Sequence, residues 1–113
     1  ARIKGIGVVL DKIAQFGSLP AMIMGDFNVE EDTETYRSAT ENFLDVKYQT
    51  KDPIKSCTYQ NWGERLDDDC IDYIMISKTG FRVNSYNVVR TTYDGVYPSD
   101  HFPITASLTL TQG

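Results

Sequence analysis

The sequence predicts an α/β (α+β) fold, a mostly antiparallel mixed sheet flanked by helices. Apolar residues recur at helical spacing near the start of the chain, and a short uninterrupted apolar run follows. A period-two alternation then closes the chain, as a half-buried strand requires. At 113 residues the chain is one domain's worth, or part of a larger one, and it carries no internal repeat or linker.

Ile3, Ile6, Leu10 and Ile13 share one side of the first helix, with Lys4, Asp11, Lys12 and Gln15 between them. Gly17 stands where a helix commonly stops. After Pro20, residues 21–24 read as a strand buried on both faces, the kind found inside layered folds. "EEDTETYRSATENF" reads as a short helix with Tyr36, Ala39, Thr40 and Phe43 on one side and carboxylates gathered at its start. Strand candidates follow at "SCTYQNW", "CIDYIMIS", "FRVNSYNVVR" and "HFPITASLTL". In the last, Phe102, Ile104, Ala106, Leu108 and Leu110 alternate with polar residues and Pro103.

A net charge of -5 argues against tight, sequence-blind binding to long nucleic acid, whose affinity comes from neutralised phosphates. It leaves room for a small phosphorylated substrate handled through a metal ion. No apolar run approaches the ~20 residues that span a bilayer, so no stable membrane insertion is expected. The chain opens inside a helical pattern, which we read as a truncated amino terminus, and it is compatible with a cytoplasmic or a secreted location. Cys57 and Cys70 flank an expected hairpin; a disulfide and two free buried thiols both suit that placement.

Polar chemistry meets apolar strands in three places. In "GDFN", Asp26 and Asn28 lie two apart beyond the carboxyl end of a strand and share a face if the chain stays extended. In "CIDYIMIS", alternation puts Asp72 on the face of Ile74 and Ile76, where a carboxylate needs a partner. That partner can be His101, Arg65, Arg90 or backbone donors. In "YPSDHFPIT", Ser99, Asp100 and His101 are contiguous and cannot form a relay among themselves. A division of labour works better: one carboxylate binds a cation, the imidazole faces substrate, and Asp72 holds the far ring nitrogen. Tyr59 and Trp62 suit core packing better than stacking on a ring substrate. "EEDTE" and "RLDDDC" lack the ligand spacing of a calcium loop and read as a helix start and a solvated hairpin tip.

"MIMGDFN", "CIDYIMIS" and "YPSDHFPI", in this order, resemble the carboxyl-terminal half of the endonuclease/exonuclease/phosphatase superfamily, over nearly the whole chain. The resemblance implies that 1–113 is the carboxyl-terminal half of such a domain, a fragment of a four-layer α/β/β/α sandwich. It further implies a divalent-metal-dependent hydrolase of phosphate esters, using Mg²⁺ or alternatively Mn²⁺. Mapped by motif, Asp26 resembles the residue that activates or orients the attacking water, and Asn28 the amide that positions phosphate and water. Asp72 resembles the carboxylate that orients His101, and His101 the group that stabilises charge on the phosphoryl oxygens. Asp100 resembles a metal-site carboxylate. Tyr93 and Tyr97, in the loop before the histidine, are expected to contact substrate. A family domain is about twice as long, and its amino-terminal half supplies an asparagine, a metal-binding glutamate and a further histidine. The isolated chain is therefore expected to be inactive and to self-associate through uncovered apolar surface. The substrate stays open, with a small or lipid-like phosphoester favoured over nucleic acid. The rival readings are a non-catalytic binding module that retains the fold and a structural acidic domain whose histidine is incidental.

Overall fold

A computed structural model describes residues 2–17 and 19–111. Its elements run α1 (Arg2–Ala14), β1 (Met22–Asp26), α2 (Glu34–Thr40), β2 (Phe43–Asp45), a 3-10 turn (Val46–Gln49), β3 (Asp72–Ser77), β4 (Phe81–Val88) and β5 (Ile104–Leu110). The strands pair throughout in antiparallel fashion, as a three-stranded sheet of order β1-β3-β2 and a two-stranded β4-β5 ribbon.

Register explains how the layers form. Opposed residues share a face, so Met22↔Ile76, Met24↔Ile74 and Asp26↔Asp72 belong to one side of the sheet. Ile23↔Met75 and Gly25↔Tyr73 belong to the other. The second side meets the helices: Ile6 of α1, Ala39 of α2 and Phe43 cluster with Tyr73, Met75 and Cys70. Phe27 and Tyr36 pack their rings on Tyr73 at 5.0 and 5.2 Å. On the first side, Ile74 and Ile76 pack with Val46 and with Tyr86 of the ribbon, joined by Ile104, Ala106 and Leu108. Each fully buried apolar side chain of this kind contributes about 1.5–3 kcal/mol. The layers are thus helices, sheet, ribbon: an α+β fragment of the four-layer sandwich.

Four local expectations need correction. β1 is not buried on both faces: Met22 is 47% and Met24 62% exposed, because the ribbon covers β3 and stops short of this edge strand. The second helix ends at Thr40, and Phe43 instead opens β2, where pairing with Ser77 buries it. "SCTYQNW" is not a strand but a single bridge, Tyr59↔His101. Trp62 is no core residue either; Asn61 and Trp62 both take left-handed backbone angles in a tight turn, which leaves Trp62 60% exposed. The expected solvated tip at Asp67–Asp69 is exposed.

Both cysteines are buried free thiols. Cys57 donates to the Arg65 carbonyl and Cys70 to the Asp72 carbonyl, and burial raises the pKa of both, that of Cys70 to about 11. Lys47 is buried against Glu31, whose carboxylate also accepts from the Tyr48 hydroxyl. Among the described residues, no helix is long and apolar enough to cross a membrane.

Candidate active site

Three strand ends converge. Asp26 ends β1, Asp72 begins β3, and the register sets them opposite each other on the ribbon-facing side. His101 arrives from the segment before β5, held by its bridge to Tyr59. Its Nδ1 lies 2.8 Å from Asp72 Oδ2, and its Nε2 lies 3.9 Å from Asp26 Oδ2. The ring is therefore flanked by a carboxylate on each nitrogen, one in hydrogen-bond contact and one beyond it.

Of the partners open to Asp72, the structure selects His101. Arg65 pairs with Asp67 at 3.2 Å, and Arg90 donates to the Ser56 hydroxyl while its guanidinium lies over the Phe102 ring. Asp72 is 15% exposed and His101 30%. Burial alone disfavours the imidazolium. The hydrogen bond to Asp72, the charge of Asp72, and the charges of Asp26 and Asp100 outweigh that cost and raise the His101 pKa. The ring is thus biased toward a cation, with Nδ1 donating to Asp72 and Nε2 directed at Asp26.

The remaining candidates fall around this group rather than within it. The chain does not stay extended after Asp26: Asn28 has φ 54°, and its N–H donates to Asp26 Oδ1 at 2.8 Å. Asparagine tolerates that conformation because its short side chain permits it. Asp100 sits beside His101, and its carbonyl accepts from the Gln60 and Asn61 N–H groups. Its charge reaches the imidazole, but its carboxylate is outside the three-residue cluster. Tyr93 is exposed and bridges Val96 across a turn. Tyr97 lies against Gly63 and packs on Phe102, with ring centres 6.0 Å apart. Neither tyrosine lines the cleft of about 420 Å³ that Asp72 and His101 form with Met24, Ile74, Phe102 and Ile104.

Asp26, Asp72 and His101 each offer a ligand atom, all within 4.8 Å of one another, so the cluster can hold a metal ion. Carboxylate oxygens suit hard divalent cations, and Mg²⁺ in particular takes one or two carboxylates and keeps several waters. The donor set fits such an ion at its carboxylates better than at His101, whose Nδ1 is already bonded to Asp72.

Sequence reasoning read "SCTYQNW" only as a strand candidate and missed that Thr58 and Gln60 frame the site. Thr58 and Gln60 are completely buried, and the Tyr59 ring lies 5.2 Å from the His101 ring. Gln60 Nε2 donates to the Ser99 carbonyl at 2.6 Å, and the Gly63 N–H donates to its Oε1. Two polar residues at strand spacing read as a solvated strand face, so only the tertiary contacts reveal that they are buried.

Two carboxylates thus bracket an imidazole at the strand ends of an α+β fold. The chain belongs to the Endonuclease/Exonuclease/phosphatase family, whose model matches residues 4–101. Members of this family are in general metal-dependent phosphoester hydrolases. Human Nocturnin is 27% identical over 118 residues, covering 91% of this chain and 27% of Nocturnin. A functionally unknown conserved protein from Enterococcus faecalis is 29% identical with a TM-score of 0.82, covering 98% of this chain and 45% of that one. The mannosyl-6-phosphatase of Bacteroides thetaiotaomicron is 25% identical with a TM-score of 0.78, covering 96% and 46%. The chain therefore spans about a quarter of Nocturnin and less than half of either solved structure.

Proposed function

We propose that this chain is the carboxyl-terminal half of a phosphoesterase domain and supplies its general acid–base and charge-stabilising groups. The observation that supports this reading is the 2.8 Å contact of Asp72 with His101, with Asp26 facing the opposite ring nitrogen. Hydrolysis of a phosphate ester places negative charge on the phosphoryl oxygens and on the leaving oxygen. A protonated His101, fixed in orientation by Asp72, counters that charge through Nε2. Asp26 orients the attacking water as it loses its proton. Asn28 positions phosphate and water from the turn that follows. A divalent cation, Mg²⁺ or Mn²⁺, would be held at the Asp26 and Asp72 carboxylates, with Asp100 contributing its charge from beside His101. Such an ion, when bound, polarises the phosphoryl oxygen. Tyr93 and Tyr97 lie outside the Asp72–His101 cleft, so they contact only the part of a substrate that extends beyond it. The net charge of -5 favours a small or lipid-like phosphoester over nucleic acid.

The test is hydrolysis of a panel of phosphomonoesters and phosphodiesters by the full-length protein with Mg²⁺. We expect turnover that EDTA abolishes, and a loss of at least about 100-fold in kcat for His101→Ala. Turnover unaffected by His101→Ala, or a folded wild-type protein with no hydrolysis of any phosphoester, overturns the reading.

A further inference from the structure

Asp72 and His101 lie on segments that do not pair with each other as strands, so their contact depends on what lies between them. β2 pairs with β3 only from Ser77 to Met75, so the first residues of β3 extend beyond it. There the Thr58 hydroxyl accepts two N–H groups at once, from Ile71 at 3.0 Å and from Asp72 at 3.1 Å. The Thr58 carbonyl accepts the Phe102 N–H at 2.6 Å, one residue past the histidine. A single fully buried residue therefore ties the backbone of the carboxylate to the backbone beside the imidazole.

We propose that Thr58 is a positioning residue for the hydrolytic site: its hydroxyl and carbonyl set the Asp72–His101 pair from behind. This rests on the functional reading above. Both of these anchors come from one residue, so the short span from the Thr58 hydroxyl to its carbonyl helps set the pair's separation. The bonds from Gln60 to Ser99 and Asp100 act beside it. A side chain with no hydroxyl cannot accept the Ile71 and Asp72 N–H groups, and buried donors without partners force the local backbone to move. A displacement near 1 Å is enough to break the bond to Nδ1. Serine at position 58 keeps the acceptor; valine keeps the shape without it.

The experiment compares Thr58→Val and Thr58→Ser in the full-length protein, alone and combined with Asp72→Asn. One readout needs no activity: the hydrogen-bonded imidazole Nδ1–H proton of His101, assigned by its loss in Asp72→Asn. We expect Thr58→Val to shift or broaden that signal and Thr58→Ser to keep it. The second readout is kinetic. Thr58→Val should lower kcat about 10- to 100-fold with little change in KM, as for outer-shell residues generally. Thr58→Ser should recover most of it, and Thr58→Val should cost nothing further once Asp72→Asn is present. A folded Thr58→Val protein with an unchanged His101 signal overturns the proposal, as do losses that add fully to those of Asp72→Asn. If the wild type hydrolyses no phosphoester, the functional reading fails and the proton signal still decides the role of Thr58. If Thr58→Val does not fold, Thr58→Cys, which fits the space and is a poor acceptor, replaces it in the same comparisons. Failure of both to fold while Thr58→Ser folds assigns the residue to folding alone and overturns the proposal.

Discussion

His101 is the single imidazole of the chain, which makes its ionisation directly observable. Burial works against the charged ring, while the bond to Asp72 and the charges of Asp72, Asp26 and Asp100 work for it and win. A raised folded-state pKa means that the stability contributed by this pair is complete below the ordinary imidazole range. It is then lost as the pH climbs through the folded value. In metal-free buffer the His101 ring should titrate above the usual imidazole midpoint. Asp72→Asn should bring the midpoint down, since burial remains and the main opposing groups are gone. NMR titration of the ring carbon-bound protons measures both; equal midpoints in the two proteins would contradict the assignment of Asp72 as the dominant partner. At this scale much of the candidate site was legible before any coordinates. Asp72 shares a face with Ile74 and Ile76, so alternation alone required it to find a partner. Alternation did not fix which partner it takes, because Arg65, Arg90 and His101 are all compatible with the pattern; the division of labour around the histidine and the family resemblance pointed to His101. The turn at Asn28 was hidden for a related reason: "GDFN" fits an extended end and a left-handed turn alike.

Among the elements, β3, β4 and β5 were readable because their residues alternate or run apolar over a full strand length. β2 and the 3-10 turn after it were not: three residues of strand give no period, and a buried Lys47 reads as a surface residue until Glu31 is seen beside it. The link between β3 and β4 shows how such elements are locked. Gly80 has φ +101°, a conformation that costs an L-residue about 1–3 kcal/mol, and a Cβ there would lie 2.7 Å from Pro20 Cγ. Proline cannot rotate its ring away, so the backbone must yield. The Gly80 carbonyl also accepts the Thr111 N–H at 2.9 Å, fastening the end of β5 to the turn. Gly80→Ala should therefore destabilise the chain by about 2–4 kcal/mol, strain and steric overlap together. Urea denaturation followed by tyrosine fluorescence reads this, and a loss below about 0.5 kcal/mol, the range of an ordinary surface change, would refute it.

At the level of the whole molecule, the helices cover one face of the sheet and the ribbon covers part of the other. The uncovered part is β1. Met22 and Met24 stand on the same side as Ile76 and Ile74, yet the partners of those isoleucines do not extend to the methionines. β1 also ends the strand order, so its outer backbone edge has no strand partner among the described residues. An exposed apolar face beside an unpaired edge is the combination that promotes pairing with another chain. We expect the 113-residue chain, by itself, to self-associate through this region. Sedimentation velocity over a hundredfold concentration range should show a weight-average mass that rises with concentration. Met24→Lys places a charge in the middle of the face, 62% exposed and so free of a packing penalty, and should shift the distribution to monomer without lowering the melting temperature. A concentration-independent monomer in the unsubstituted chain would show that the face is tolerated by solvent. An assembly that persists with Met24→Lys would place the contact elsewhere, for instance at the exposed Val8 and Val9 of α1.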